Sequence, residues 1–209
     1  MCKVNILAVR YLDNAEENLC RGLGADGEYR CLGFLTTDCD DATYIALDEA
    51  TKAAQVQVGY ARSFYAGAPN ATTPHAGEVI GILAAANPAD LRSGMEAVEN
   101  ALQRVGFSDV AGIPCLAHTV SSCGSFLSRE AGVPLGAALA YLIAPTLEAM
   151  VGLDAALKAA DVKLCKLYAP PSETNFAGGL LTGTQSACTA ACAAFVSAVQ
   201  KIANNPIER

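Results

Sequence analysis

Residues 47–56 read LDEATKAAQV and residues 153–162 read LDAALKAADV, so seven of ten positions coincide at an offset of 106, about half of the 209-residue chain. Self-similarity at one fixed offset is the mark of a repeated structural unit, and it limits the folds open to the chain more than any other feature. The surroundings repeat as well. Each copy follows an apolar, strand-like run (residues 31–36 and 137–144) and precedes an alternating one (Val56, Val58, Tyr60; Val162, Leu164, Lys166, Tyr168). A Pro/Gly/Asn/Thr-rich loop comes next, then a third strand (78–84 and 179–183) and an Ala-rich helix (89–105 and 186–203). The alternation of period-two and period-3.6 segments predicts an α/β (α+β) fold made of two tandem domains of about 100 residues each. A first strand over 4–11 and a short helix over 14–22 open the first copy, answered by 115–120 and 121–130 in the second. Residues 106–114 read as the linker.

Apolar residues make up 52% of the chain, enough for a core in each copy, whereas charged residues are only 17% and aromatics 6% with no Trp. Such an excess of small apolar residues predicts surface that is covered by other subunits. The net charge of −7 comes without a basic cluster, which argues against nucleic acid and anionic membranes as partners. The apolar run at the N-terminus is too short for a secretory signal and is broken by Arg10 and Asp13, so a cytoplasmic location is expected. The uncharged stretch from Thr174 to Gln200 has the length of a membrane span but carries Asn175, Gln185, four Thr and two Ser, and reads as a soluble helix with its preceding strand. Nine cysteines, none in a CxxC pair, are expected to be reduced thiols. Cys188 and Cys192 at helical spacing serve packing, and no metal site is expected.

Chemistry-bearing residues are few. Asp38, Asp40 and Asp41 crowd a helix start, where capping and the helix dipole account for one or two carboxylates. The excess is open to two readings, solvation or attraction of a cationic ligand. Calcium-loop spacing is absent. Glu78 begins a strand directly after the long loop Phe64–Gly77, and the equivalent loop of the second copy is Ala169–Gly178. Long loops without periodicity commonly carry function. His75 and His118 lack metal-ligand spacing, and Ser122-Cys123-Gly124-Ser125 has no nameable base. No nucleotide, nucleophile-elbow or metalloprotease motif occurs, so no catalytic residue is assigned and the chain does not read as an enzyme.

The runs TTDCDDATYIALDEATKAA, ARSFYAGA, AGEVIG, AAANPADLRSGMEAV, YLIAPTLEAMVGLDAALKAADVKL, PPSETNFAGGLLTGTQSAC and IANNPIER resemble, nearly end to end, the L-type ethanolamine-utilization shell proteins of bacterial microcompartments. The resemblance implies two circularly permuted shell domains, 1–107 and 108–209, each a small antiparallel sheet flanked by helices. It implies a homotrimer shaped as a pseudohexameric disc, set among other shell proteins of the facet. A central pore would be gated by the two long loops, through Phe64, Tyr65, Gly67, Asn70, Thr73 and Gly77 in the first and Pro171, Glu173, Asn175, Phe176, Gly178 and Gly179 in the second. Small pores would bind ethanolamine, with Asp40, Asp41 and Glu78 for the ammonium group and Phe107 over the methylenes. Metabolites are the implied small-molecule partners, and cobalamin is implied as a transported species rather than a catalytic cofactor. The alternative, a trimeric small-molecule-binding regulatory protein of ferredoxin-like type, would need a phosphate or nucleotide site, for which no motif is found.

Overall fold

The computed structural model describes residues 2–25, 27–64, 74–170 and 175–207. Its contacts divide the chain into two compact units. The first comprises Lys3–Gly106 with Gly124–Leu127; the second comprises Phe107–Cys123 and residues 128–207, with Cys2.

In the first unit β1 (Ile6–Leu12), β2 (Cys31–Thr37), β3 (Val56–Ser63) and β4 (Val79–Ala85) form an antiparallel sheet of order β1-β2-β4-β3, joined by α1 (Glu17–Gly22), α2 (Asp40–Ala53) and α3 (Pro88–Leu102). Both faces of the central strands are covered, which is why β2 and β4 read as continuous apolar runs rather than alternating ones. On one face Leu32, Ile82 and Ala84 pack with Ala15, Cys20 and Ala25 from around α1. On the other lie α2 and α3. The start of α3 is legible in sequence: the Asn87 side chain accepts from the Asp90 N–H at 2.9 Å and Pro88 occupies the first turn, where its missing N–H costs nothing.

The second unit repeats this plan with one strand added. Its sheet has the order β5-β6-β7-β9-β8, built from β5 (Ser108–Val110), β6 (Ile113–Val120), β7 (Ala138–Pro145), β8 (Val162–Tyr168) and β9 (Phe176–Gly183), with α5 (Thr146–Ala159), α6 (Gln185–Asn204) and the part of α4 (Ser125–Ala131) from Ser128 onward. Helices α2 and α5 are both 14 residues long and begin at 40 and 146, the offset of the sequence repeat. The leucines of that repeat have a structural reason. Leu47 is seated on Gly81, where a Cβ would lie 2.8 Å from its Cδ1, and Leu153 takes the same place over Gly179. Each leucine is buried between its helix and a strand that leaves room for it. The edge strands also match, since β3 is bulged between Val58 and Tyr60 and β8 between Leu164 and Lys166.

Two features depart from the sequence reading. The expected linker 106–114 is largely the β5–β6 hairpin. Its turn places Ala111 at φ 54° and Gly112 at φ 87°, and the Asp109 carboxylate accepts from the Gly112 N–H at 3.0 Å. Two consecutive left-handed residues make a tight hairpin turn whose twist matches the strands. In addition, Gly178, expected to end the second long loop, lies inside β9, which begins at Phe176 rather than at Gly179; both glycines expected to serve the gate are strand residues. Gly178 pairs with Ile143 on one side and Tyr168 on the other, so its backbone is fixed in the sheet. Helix α6 has the length and hydropathy of a membrane span. Its stripe Cys188, Ala191, Cys192, Phe195 and Val199 nevertheless belongs to the core of the second unit, with Phe195 over Gly152.

Candidate functional site

The carboxylates expected to hold a ligand are carried by the first unit, at the end of the sheet where β2 runs into α2 and β4 begins. The junction is built by hydroxyls. Thr37 and Thr43 are both fully buried; their hydroxyls lie 2.7 Å apart and within 3.0 and 2.7 Å of the Cys39 carbonyl, so one hydroxyl donates to the other and the other donates to that carbonyl. The Cys39 N–H donates back to the Thr37 hydroxyl at 3.2 Å. This knot fixes the backbone of residues 37–43 and hence the direction in which Asp40 and Asp41 leave α2. The Asp40 carboxylate accepts from the Asp41 N–H at 2.8 Å, and Cys39, the N-cap residue, makes no side-chain cap bond. One aspartate thus answers the helix start, as capping requires.

Asp38 has a different task. Its two carboxylate oxygens accept from the backbone N–H and the side-chain amide of Asn5, at 2.8 and 2.7 Å, tying the segment before β1 to the end of β2. That role was not expected from sequence, where Asp38 and Asn5 are 33 residues apart without a shared motif. The position of Glu78 follows from strand register. Thr37 pairs with Val79, the Glu78 N–H donates to the Thr37 carbonyl at 2.8 Å, and the Glu78 carbonyl accepts from the Phe64 N–H at 3.0 Å. Glu78 therefore stands at the base of the first long loop, joined to both ends of it.

Asp40 and Asp38 stand close enough to Glu78 for their charges to act on it. Partial burial raises the Glu78 pKa above its ordinary value, and the charges of Asp40 and then Asp38 raise it further. Burial, helped by Asp41, Asp40 and Glu78, pushes the Cys39 thiol up to about 12. Tyr44, one turn along α2 from Asp40, is also raised to about 12, chiefly by burial, with Asp40 and Asp41 contributing; its hydroxyl shares a 2.6 Å hydrogen bond with the Ser63 hydroxyl. The site is therefore a patch of mutually repelling negative charge beside two neutral, hard-to-ionise groups. A cation placed there relieves the repulsion. Among the described residues no group of three His, Cys, Asp or Glu side chains is arranged to hold a metal ion. The open groove lined by Ala117, Cys192, Ala193, Val196, Ser197 and Gln200 in the second unit carries no charge to offer a cation.

The other expected site residues fall into three groups. Phe107 belongs to the second unit, where its ring meets Phe176 at 5.2 Å and its carbonyl accepts from the Cys2 N–H at 2.6 Å. Tyr65, Gly67, Asn70, Thr73, Pro171 and Glu173 lie outside the described residues. The described flanks of the first loop are firmly held. The Thr36 hydroxyl donates to the His75 carbonyl at 2.7 Å, and Gly77 turns the corner at φ 65° with its Cα against the Thr37 carbonyl, leaving no space for a side chain. Phe64 immediately follows β3, Asn175 immediately precedes β9, and Phe176 is the first residue of β9.

Comparison with known proteins accounts for the repeat. The family model of the BMC domain matches residues 31–114, starting at β2 and running through α3 and the β5–β6 hairpin. Within the first unit, however, the sheet position beside β2 is filled by β1, which precedes the matched segment. A bacterial microcompartment shell protein, EutL, of Clostridium perfringens is 54% identical over 211 residues, covering 99% of this chain and 97% of its own. EutL of Escherichia coli K12 is 47% identical, covering 100% and 97%. The crystal structure of the ethanolamine utilization protein EutL from Leptotrichia buccalis superposes with a TM-score of 0.95 at 54% identity, covering 100% of this chain and 98% of that one. Identity at this level along the whole length, on two tandem permuted domains, places the chain in the EutL family of bacterial microcompartment shell proteins.

Proposed function

We propose that three copies of this chain form a pseudohexameric disc in the shell of a cytoplasmic ethanolamine-utilization microcompartment, that the loops 64–77 and 169–178 gate a central pore, and that the acidic patch binds ethanolamine in small pores. The names of the relatives support the shell role and the association with ethanolamine; the observation that carries the binding site is the convergence of Asp40 and Glu78 at the base of the first loop. Ethanolamine is an ammonium alcohol. Taken partly out of water, its cation needs carboxylates within hydrogen-bonding reach, and its hydroxyl needs one polar partner. Asp40 and Glu78 supply the first, and Asp41 adds to the field. The chain acts as a conduit, not an enzyme. A gate formed by two loops of ten or more residues also suits solutes as large as cobalamin, which on this reading is cargo.

Calorimetric titration tests the site. A charge-assisted hydrogen bond is worth about 1.5–3 kcal/mol, so Asp40→Asn and Glu78→Gln should each weaken ethanolamine binding roughly tenfold to a hundredfold. Propanol, which lacks the cation, should not bind. Affinity should also depend on pH. Because the Glu78 pKa is raised, its proton is retained to higher pH than in an ordinary glutamic acid, so binding is full above the raised value and weakens as pH falls through it. Unchanged affinity in both variants would show that the patch only solvates the helix start.

A further inference from the structure

We infer that Tyr44 is a positioning residue of the acidic patch: its hydroxyl, bonded to that of Ser63, ties the start of α2 to the end of β3 and so sets the separation of Asp40 from Glu78. The inference rests on the ethanolamine site proposed above and names a residue that tunes that site through its geometry.

Asp40 and Glu78 belong to different elements, one at the start of α2 and the other just before β4. Like charges repel, so without a cation between them their separation depends on what holds the two elements together. The hydrogen bonds form a closed circuit. On one side the Thr37 and Thr43 hydroxyls tie α2 to the end of β2, and the Glu78 N–H donates to the Thr37 carbonyl at 2.8 Å. On the other the Phe64 N–H donates to the Glu78 carbonyl at 3.0 Å, and Ser63, beside Phe64, pairs with Val79, beside Glu78. Tyr44 closes the circuit, because its hydroxyl lies 2.6 Å from the Ser63 hydroxyl. Tyr44 and Asp40 are four residues apart on α2, so the bond acts on the part of the helix that carries the carboxylate.

The second unit lacks both the acids and the link. On α5 the places of Asp40 and Tyr44, 106 residues on, are taken by Thr146 and Met150. Val56 pairs with Ala85 as Val162 pairs with Gly183, and counting along the strands from these pairs puts Ala169 in the place of Ser63 and Phe176 in that of Glu78. These four positions change together, whereas Leu47, Asp48 and Lys52 recur as Leu153, Asp154 and Lys158. Packing of the helix is thus retained without the hydroxyl pair; the pair accompanies the acids.

The charges that act on Glu78 come from Asp40 on α2 and Asp38 at the end of β2, and Cys39 between them stays a neutral thiol. Nearby in sequence and sheet are Arg62 of β3, opposite Ile80, and His75 before the strand; among these Arg62 and His75 are exposed. Without the Tyr44 hydroxyl, Asp40 can draw away from Glu78, whose pKa then falls toward its ordinary value. Binding should therefore weaken at neutral pH yet persist to lower pH.

Calorimetric titration of the full chain with ethanolamine, repeated across pH, tests this. Tyr44→Phe, which keeps the ring 6.0 Å from that of Phe126, and Ser63→Ala should each weaken binding about fivefold, as loss of one neutral hydrogen bond does. The double variant should be no weaker than either, since both changes remove the same bond. Ser63→Thr keeps the hydroxyl on a strand that suits Thr and should bind within about twofold of the natural chain. The pH at which binding is half lost should fall in the weakened variants and stay in place in Ser63→Thr. Unchanged affinity in Tyr44→Phe and Ser63→Ala, losses that multiply in the double variant, or a midpoint that does not move would each overturn the positioning role and leave the acidic site standing. If Asp40→Asn and Glu78→Gln also bind as the natural chain does, the site itself lies elsewhere and the role of Tyr44 falls with it.

Discussion

Replacing Asp48 by Ala is expected to destabilise the first unit by about 4 kcal/mol, because two buried backbone N–H groups, of Gly124 and Leu127, lose their acceptor and each such loss costs about 1–3 kcal/mol. Asp48→Asn keeps one acceptor oxygen and should fall between Ala and the natural residue. Asp154→Ala, at the equivalent repeat position, removes only an exposed pair with Lys158 and should change stability by less than about 1 kcal/mol. Urea titrations followed by circular dichroism measure all three. Equal losses at 48 and 154 would refute the assignment. The sign of the pH effect is also fixed. Burial raises the Asp48 pKa despite the two N–H donors, so ionisation is harder in the folded chain than in the unfolded one. Its contribution is therefore fully favourable below the ordinary aspartate pKa and is reduced as pH rises through the raised value. The Asn variant should lack that part of the pH dependence.

Gly178→Ala is expected to cost as much or more, about 3–5 kcal/mol, or to prevent the second unit from folding. A Cβ at this position would overlap the Leu142 carbonyl and lie 2.7 Å from Ile143 Cδ1, so β7 and β9 would have to separate. The obstacle is backbone, which cannot rotate aside as a long side chain can. Gly112→Ala is the control. It places a methyl group in open space and is disfavoured only by its φ of 87°, so its cost should be about 1 kcal/mol. Thermal melts that rank the two variants the other way would show that β9 is more plastic than its pairing indicates.

The comparison of Asp48 with Asp154 also shows where sequence reasoning stops. The decapeptide repeat disclosed two domains, the order of their elements and the length of the α2 and α5 helices. All of these are encoded locally by periodicity. It could not disclose that one of two aspartates at the same repeat position is buried and the other exposed, since the difference is made by residues 76 positions away. The shared place of Asp40 and Glu78 comes from the pairing of β2 with β4, two strands separated in the chain by α2 and β3, which brings both residues to one end of the sheet. Asp38 was not separable from its neighbours by composition, because its partner, Asn5, lies in another segment. The β5 strand was missed because three residues are too few for a period, and its turn uses an alanine at positive φ where a glycine would have announced it. Gly178 was read as the end of a loop because glycine usually marks one; here Gly178 and Gly179 are small so that the neighbouring strand and Leu153 can approach.

The bulges in β3 and β8 bear on how such a chain survives at high density. Both are edge strands, and a flat edge offers its free N–H and C=O groups to any other edge it meets. A shell protein works at high local density, where such edges meet often. The bulge at Gly59 and its counterpart at Cys165 break the regular spacing of those groups halfway along each edge, and Arg62, Lys163 and Lys166 add charge that must be desolvated before another strand can pair. Irregularity at the same place in both halves thus makes edge-to-edge pairing, the route to fibrous aggregation, less favourable.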